Sequence, residues 1–339
     1  MYFLVKMHYN FWVLFILYIY FYNFIFARLR STCFETVKDK DQNIETKRKK
    51  NEIACISVVL VFYFHLAGVY GAYLCFTKAK WGSLIFAIGV VVGTHKLWSH
   101  RSFKARLPLQ IFLMLCQSMA FQFTVFTWVR DHRLHHKYSD TDADPHNSSR
   151  GFFFSHIGWL MVRRHPEVKR RGAAINMEDI RLNPVLEFQK RNSKWLLPTA
   201  AFIIPTILPT LLWSEDIFTS WHINQLRFII NLNLACTVNS VSHMWGSRPY
   251  DAGLKACQSL PVILLTYGEG FHNYHHAFPF DYRASERGNY RVNFMTMFVD
   301  FCARLGLAYD LKEASEDVVR SRREKSGDGS DLWCRNKNI

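Results

Sequence analysis

Long apolar stretches alternate with strongly charged connections along this chain. Four stretches are almost free of charge, and each is long enough to cross about 30 Å of hydrocarbon as a helix, which takes roughly 20 residues. They cover residues 54–76, 82–98, 195–213 and 221–242. The pattern therefore predicts an all-α integral membrane protein with four transmembrane helices, arranged as two hairpins.

Two further apolar runs are harder to interpret. The run from Leu107 to Phe126 begins beside Pro108 and leads directly into a polar, histidine-rich segment, so we expect it to be buried or interfacial and not spanning. The run from Tyr9 to Ala27 is rich in aromatic residues and carries no formal charge. It could be an uncleaved anchor, a signal peptide or an amphiphilic tail, and a fifth membrane helix there stays open.

The charged segments indicate the topology. Residues 28–50 are rich in lysine and arginine, and the positive-inside rule assigns such a segment to the cytosol, most simply as a solvated linker. Two hairpins after Lys50 return residues 99–194, and everything after residue 243, to the same side. We expect a hydrophobic and basic extension at 1–50, a main domain at 51–325 and a polar tail at 326–339. From Lys312 onward a helix is expected to fray into disorder.

Composition narrows the class further. Half of the 339 residues are hydrophobic, and the formal net charge is +15. The eight cysteines are scattered with no CxxC pair, which is typical of small core residues in a reducing compartment. The chain has no dinucleotide fingerprint, no P-loop and no HPGG haem motif. Any redox chemistry therefore needs electrons from a separate carrier.

Histidines carry the main chemical signal. HKLWSH at 95–100, HRLHH at 132–136 and HNYHH at 272–276 hold eight of the fifteen histidines. Imidazole is the commonest metal ligand in proteins, and in a helix the spacing i, i+3, i+4 places three rings on one face. One such cluster is a weak, zinc-like signal that also fits a hydrolase, but two copies in one chain make chance improbable.

The count of donors favours two metal ions. His95 and His100 are five residues apart, so on a continuous α-helix they diverge by about 140° and cannot comfortably share one ion. They would serve two metals or bracket a helix end. His243 follows Asn239 by four residues and points the same way. Iron with open coordination positions suits such a histidine-rich set better than closed zinc.

The remaining histidines have plainer interpretations. His65 and His222 lie within or beside apolar stretches and are expected to be hydrogen-bonded core or interfacial residues. His146, His156 and His165 lack ligand spacing, and we expect surface or supporting positions for them.

Five motifs identify a family resemblance: HKLWSH, WVRDHRLHHKYSDTDADPHN, GFFFSHIGW, NSVSHMWG and GEGFHNYHHAFPFDYR. Over residues 54–325 the chain resembles the membrane acyl-CoA desaturases of the stearoyl-CoA, Δ9 type, especially insect members. The resemblance implies four transmembrane helices and a cytosolic helical cap holding two Fe²⁺ ions, in the endoplasmic reticulum membrane with the active site facing the cytosol. The implied ligands are His95, His100, His132, His135, His136, His243, His272, His275 and His276, with Asn239 acting through water.

The resemblance also implies the reaction. Such enzymes use O₂ and two electrons to insert a cis double bond into a fatty acyl-CoA, here with Δ9 or pheromone-type regiochemistry, and cytochrome b5 is the implied electron donor. Gln122 and Trp128 match residues that brace the bend of a narrow apolar tunnel. The coenzyme A head would contact Arg130, Asp131, Arg163 and Arg164, although the last two also suit a basic rim facing the membrane.

Several positions depart from the family pattern and put the substrate in doubt. Ala235 stands where relatives carry Thr, Cys236 where they carry Trp, and Ser57 and Phe123 where they carry Asn. Hydroxylase or conjugase chemistry at the same site, and a non-catalytic acyl-CoA-binding protein, are the alternatives. A zinc hydrolase is disfavoured because neither HRLHH nor HNYHH contains a glutamate base.

Overall fold

The computed structural model describes residues 52–83, 95–286 and 292–330, and in these ranges the chain is mostly helical, as predicted. The helices are α1 (Cys55–Thr77), α2 (Leu107–Ala120), α3 (Val125–Tyr138), α4 (Phe152–His156), α5 (Pro166–Ala173), α6 (Glu178–Arg181), α7 (Pro184–Pro198), α8 (Ile204–Trp213), α9 (Ile217–Ser240), α10 (Leu260–Leu265), α11 (His272–Ala277), α12 (Phe294–Arg304) and α13 (Glu316–Ser326). The predicted N-terminal extension lies outside the described residues.

Shorter elements connect the helices. Two π-helical turns, His95–Ser99 and Thr199–Ile203, and three 3₁₀ turns, Ser148–Arg150, Gly158–Leu160 and Val241–His243, occur in the described ranges. The strands β1 (Lys104–Ala105) and β2 (Ala308–Tyr309) pair antiparallel, with Ala105 opposite Ala308. This short ladder joins the start of α2 to the segment that follows α12.

Two helices are both long and apolar enough to cross a membrane. They are α1, with 23 residues, and the continuous 30-residue helix Pro184–Trp213 formed by α7, the second π-helical turn and α8. Together α2 and α3 pass the same test, but an 83° bend separates them, so the described residues contain two or at most three candidate spans. The predicted number of four is not confirmed.

The other two predicted spans are not among these candidates, for separate reasons. Most of 82–98 lies outside the described residues, and its last residues belong to the buried π-helical turn His95–Ser99. Residues 221–242 do fall mainly in α9, a helix of 24 residues. However, α9 buries Asn224, Gln225 and Arg227 among its apolar side chains, and this polar content lowers its mean hydropathy.

Two glycines allow α1 to pack closely along α9. A Cβ atom on Gly71 would lie 2.1 Å from the carbonyl oxygen of His222, and one on Gly68 would lie 2.3 Å from Ile229 Cδ1. A larger residue at Gly71 would push against the backbone of α9 and move the helices apart, whereas one at Gly68 would require the Ile229 side chain to shift. In the same interface His65 Nε2 lies 3.1 Å from the Asn233 amide nitrogen.

The bend between α2 and α3 shapes the centre of the molecule. Helix α2 ends at Ala120 because Phe121 adopts a left-handed conformation with φ 54°, and Phe123 does so again at 64°. Thr124 then caps α3 by accepting a hydrogen bond from the Thr127 amide. One face of α2 packs into the main core while Phe112 on the other is exposed, so the run from Leu107 is half-buried.

The region after Lys312 is folded, so the expectation of fraying into disorder was wrong up to residue 330. Helix α13 packs through Val319 into a small core with Tyr250 and Tyr274. Ion pairs flank this contact on the same side of the helix, since Arg322 contacts Asp251 and Arg323 contacts Glu286. These partners are distant in sequence, and for that reason the local polar composition did not reveal them.

Candidate metal centre

Helix α3 anchors the first π-helical turn and so positions two histidine clusters together. The Arg133 guanidinium donates hydrogen bonds to the carbonyl oxygens of Trp98 at 2.7 Å and Ser99 at 3.1 Å, and it pairs with Asp179 at 2.7 Å. Carbonyls at a helix end have no partner within the helix, so a cation from α3 satisfies them. The turn is thereby fixed against α3.

Five imidazoles converge beside this turn. They belong to His95, His100, His132, His136 and His275, and their ligand atoms all lie within 4.8 Å of one another. The closest Nε2–Nε2 distances are 2.8 Å between His100 and His132 and 2.9 Å between His95 and His132. We call this set the five-histidine group.

Hydrogen bonding cannot explain this group. The Nε2 atoms of His95, His100 and His132 form a triangle with sides of 2.8, 2.9 and 3.2 Å. A neutral imidazole nitrogen carries either a proton or a lone pair, so at least one side must join two like atoms. Nitrogens bound about 2.1 Å from one ion at right angles would lie about 3.0 Å apart. The donor set therefore fits a metal ion.

A second group of four imidazoles lies next to the first. His135, His243, His272 and His276 place their ligand atoms within 4.8 Å of one another. His243 and His272 approach to 2.9 Å, and His272 and His276 to 3.1 Å, all between Nε2 atoms. His135 Nε2 is buried with no hydrogen-bond partner. A buried nitrogen left without a partner is costly, and a metal ion would satisfy it.

Helices α3 and α11 each supply both groups. In α3, His132 and His136 enter the five-histidine group while His135 enters the other. In α11, His275 joins the five-histidine group, and His272 and His276 join the four-histidine group. Because i, i+3 and i+4 differ in direction within one helical face, one helix can address two adjacent ions.

The premise that His95 and His100 lie on a continuous α-helix was wrong, because residues 95–99 form a π-helical turn. In that geometry residue i bonds to i+5, so residues five apart lie above one another. The two Nε2 atoms are 3.2 Å apart, and the pair brackets the turn, which was the second of the two alternatives.

Three carboxylates orient the imidazoles, and sequence reasoning missed all three. The Nδ1–H groups of His95, His135 and His243 donate to Glu269 at 2.9 Å, Asp144 at 2.8 Å and Asp140 at 3.0 Å. With the proton on Nδ1, each Nε2 presents a lone pair to its group. The available signals were the alternating acids of DTDAD just after HRLHHKYS and the glutamate of GEGFH.

Burial and neighbouring charges shift the pKa values of the carboxylates and of several imidazoles in directions that favour metal binding. Burial raises the pKa of Asp140, but the hydrogen bond and charge of His243 outweigh it, and the pKa falls to about 2. Burial also raises the pKa of Glu269, but the charge and hydrogen bond of His95 outweigh it, and that pKa falls to about 2. Burial and neighbouring imidazoles lower the pKa of His272 and His275 well below the ordinary value. The carboxylates of Asp140 and Glu269 are therefore anionic, and the imidazoles of His272 and His275 are neutral.

Four of the six predicted substrate residues fall into two places. Trp128 lies at the metal centre, and Arg130, Asp131 and Arg164 form a cluster of their own. Trp128 stacks on His132 with ring centroids 4.9 Å apart. Asp131 is buried and paired with Arg130 at 2.9 Å and with Arg164 through two contacts of 2.8 and 2.5 Å. Arg163 is not part of this cluster.

The last two substrate candidates lie in different parts of the fold, as do two of the residues that depart from the family pattern. Arg163 is exposed and pairs with Glu52 at 2.5 Å near the start of α1. Gln122 lies in the bend between α2 and α3, beside Phe123. Cys236 is buried in α9, whereas its neighbour Ala235 is only partly buried.

The other histidines behave largely as expected. His65 and His222 bond through Nδ1 to the carbonyl oxygens four residues earlier, at 2.7 and 2.8 Å. His156 contacts Ser240, and His165 caps α5. His146 is buried, and its Nδ1 lies 3.3 Å from a carboxylate oxygen of Asp144, the residue that orients His135.

Asn239 lies half-buried near the end of α9, four residues before His243. The 3₁₀ turn Val241–His243 continues directly from that helix. Both residues therefore stand at the same end of α9, as the sequence predicted.

Comparison with known proteins agrees with this geometry. The fatty acid desaturase family matches residues 79–284. An acyl-CoA Delta(11) desaturase of Spodoptera littoralis is 52% identical over 294 residues, covering 84% of this chain and 87% of the relative. A (11Z)-hexadec-11-enoyl-CoA conjugase of Bombyx mori is 53% identical over 289 residues, with 83% and 88% covered.

A third relative is an acyl-CoA Delta-9 desaturase of Acheta domesticus, 49% identical over 294 residues, with 84% of this chain and 82% of the relative covered. Matches of this identity and length confirm the predicted family. The chain belongs to the fatty acid desaturase family and is an oxidoreductase of its acyl-CoA desaturase branch.

Proposed function

We propose that this protein is a di-iron desaturase that inserts a cis double bond into the acyl chain of a fatty acyl-CoA. The observation that carries the proposal is the pair of imidazole groups, whose lone pairs converge on two adjacent points. Iron bound there would supply the oxygen activation that the cleavage of unactivated C–H bonds requires. Zinc has no redox chemistry, so it could not activate O₂ for such a reaction.

The chain's own residues divide into ligands and supports. Nine histidines would hold the two ions, with Asn239 acting through a water molecule. Asp140, Asp144 and Glu269 would fix ring orientation and tautomer, because each accepts the Nδ1 proton of one ligand. The centre is mostly buried, and exclusion of water would protect the reaction from side products.

The substrate would run from a polar head site into the helices. Asp131, flanked by Arg130 and Arg164, offers cations and an acceptor for the coenzyme A head. Within α3, Trp128 stacks on His132 four residues later, which supports a role for Trp128 beside the reacting methylenes. Gln122, in the bend before α3, would line the same path. A narrow tunnel would hold the chain still, since regioselectivity requires a fixed acyl register.

Regiochemistry and setting complete the proposal. The relatives are named as Δ11 and Δ9 desaturases and as a conjugase, so Δ9 and pheromone-type positions are the candidates for this chain. The protein would lie in the endoplasmic reticulum membrane with four helices spanning it and a helical cap in the cytosol. Cytochrome b5 would donate the two electrons.

Expression in a yeast lacking its own desaturase tests the function. We expect growth without added unsaturated fatty acid and new cis-monounsaturated products, whose double-bond position mass spectrometry of derivatised esters would locate. His135→Ala should abolish the products, whereas His222→Ala, a histidine far from both groups in the sequence and bonded to its own helix, should not.

The products also separate the alternatives. Conjugated dienes alone, made from a monounsaturated precursor, would assign conjugase chemistry, and hydroxylated chains would assign a hydroxylase. Iron-loaded protein that binds acyl-CoA and forms no oxidised product would contradict the proposal in favour of a binding protein.

A further inference from the structure

An exposed basic surface joins the end of α3 to α5. It consists of Lys137, Tyr138, Lys169, Arg170 and Arg171, and we call it the α3–α5 basic surface. The Tyr138 ring lies between two cations, with Lys137 Nζ at 5.6 Å and the Arg171 guanidinium at 5.3 Å from its centroid. The surface is therefore continuous across the two helices.

Helix α5 also packs directly on α3. A Cβ atom on Gly172 would lie 3.6 Å from Leu134 Cδ2 and 3.9 Å from Arg130 Cδ. This packing places the cations of α5 beside the helix that carries His132, His135 and His136.

The surface carries excess positive charge. Its four cations face the single carboxylate of Glu167, which is hydrogen-bonded to Arg170 at 2.8 and 2.6 Å. Lys137 and Lys169 are exposed, and no carboxylate of the described ranges lies within ion-pair distance of either. Helix α13 is equally rich in arginine, but Arg320, Arg322 and Arg323 are each paired with an acidic residue.

The α3–α5 basic surface adjoins the five-histidine group along α3. Lys137 directly follows His136, whose Nε2 lies 3.0 Å from that of His275 in the five-histidine group. At 1.5 Å of rise per residue, the end of α3 at Tyr138 lies roughly 3 Å along the helix axis from His136 and roughly 9 Å from His132. Electron transfer slows steeply with distance, so a donor bound here would have a short route to the centre.

We propose that the α3–α5 basic surface docks an acidic protein that carries single electrons to the metal centre. This inference rests on the proposed function. In the overall reaction O₂ accepts four electrons and becomes two water molecules. Two electrons come from the –CH₂–CH₂– unit, which loses two hydrogens as –CH=CH– forms, and the other two, matched by two protons from solvent, come from the docked carrier in successive steps.

The position of the surface agrees with a carrier on the cytosolic side. The amide of Ala54, at the start of α1, donates to Met161 O at 2.8 Å, and the Arg163 amide donates to Glu52 O at 2.9 Å. Helix α5 begins three residues later. The surface therefore lies at the end of α1 that the positive-inside rule assigns to the cytosol.

Charge reversal at the two unpaired lysines tests the inference. We expect the double variant Lys137→Glu/Lys169→Glu to raise the KM for the soluble haem domain of cytochrome b5 at least about tenfold at low ionic strength, and to flatten the decline of rate with added salt. The matched control Lys312→Glu/Lys325→Glu makes the same charge change at exposed positions elsewhere and should leave both properties unchanged.

Two further measurements make each outcome decisive. With a reduced viologen as small-molecule donor, the Lys137/Lys169 variant should turn over at the rate of the unaltered chain, with the same KM for acyl-CoA. An unchanged KM for the haem domain would overturn the docking proposal, and so would a raised KM for acyl-CoA alone, which would assign the surface to the coenzyme A phosphates. If the unaltered chain fails to turn over with either donor, the proposed function itself fails.

Discussion

At the residue scale, the carboxylates behind the histidines distinguish a metal centre from a cluster of imidazoles. Spacing within the sequence singled out the rings of HRLHH and HNYHH, which follow the helical repeat, and the family resemblance implied the full set of nine histidines. It could not select Glu269 as the partner of His95, since 174 positions separate them and only the tertiary fold brings them to 2.9 Å. Local spacing does not report contacts of that range.

Replacing Asp144 by Asn tests the supporting role of these carboxylates. The charge that stabilises the Nδ1–H tautomer of His135 would be lost, and we expect iron affinity and turnover to fall about 10- to 100-fold. Titration with a competing chelator gives the affinity. The exposed neighbour Asp142 provides the control, because Asp142→Asn should change neither quantity; equal losses in both variants would argue against a specific role for Asp144.

At the element scale, the pattern of apolar residues predicted helices well but not their local geometry. The segment 195–213 was expected as a span and lies within the continuous helix Pro184–Trp213. The π-helical turn at His95 was not foreseen, because sequence spacing does not distinguish α from π geometry. The turn depends on Arg133, which satisfies its end carbonyls from another helix.

The contact of α1 with α9 gives a prediction at this scale. Gly71→Ala places a methyl group 2.1 Å from the His222 carbonyl oxygen, so the helices must separate. We expect the free energy of unfolding to fall by about 1–3 kcal/mol despite the better helix propensity of alanine. Thermal unfolding of purified protein in detergent measures it. Val69→Ala, on the exposed side of α1, is the control and should have little effect; a Gly71 variant as stable as its parent would contradict the close packing.

At the scale of the whole molecule, the fold brings the three histidine clusters together, although they come from segments far apart in the sequence. Sequence reasoning expected them to meet, because it placed four apolar stretches and the basic residues 28–50 so that all three clusters share one side of a membrane. The described residues contain two or at most three candidate spans, so that topology stays a prediction. One of those stretches, 82–98, lies largely outside the described residues and stays a prediction.

Accessibility to a membrane-impermeant maleimide tests the orientation. Lys169→Cys on α5 should be labelled in sealed microsomes with their cytosolic face outward, because α5 adjoins the start of α1. Lys78→Cys, just past the other end of that 23-residue helix, should be labelled only after the membrane is permeabilised. Labelling is scored against the unaltered chain, and the reverse pattern would invert the proposed topology.

The iron content of the purified protein tests the central claim most directly. If the five- and four-histidine groups are the two halves of one redox centre, elemental mass spectrometry should find two iron atoms per chain and negligible zinc. A single iron per chain, or zinc in both positions, would contradict the account.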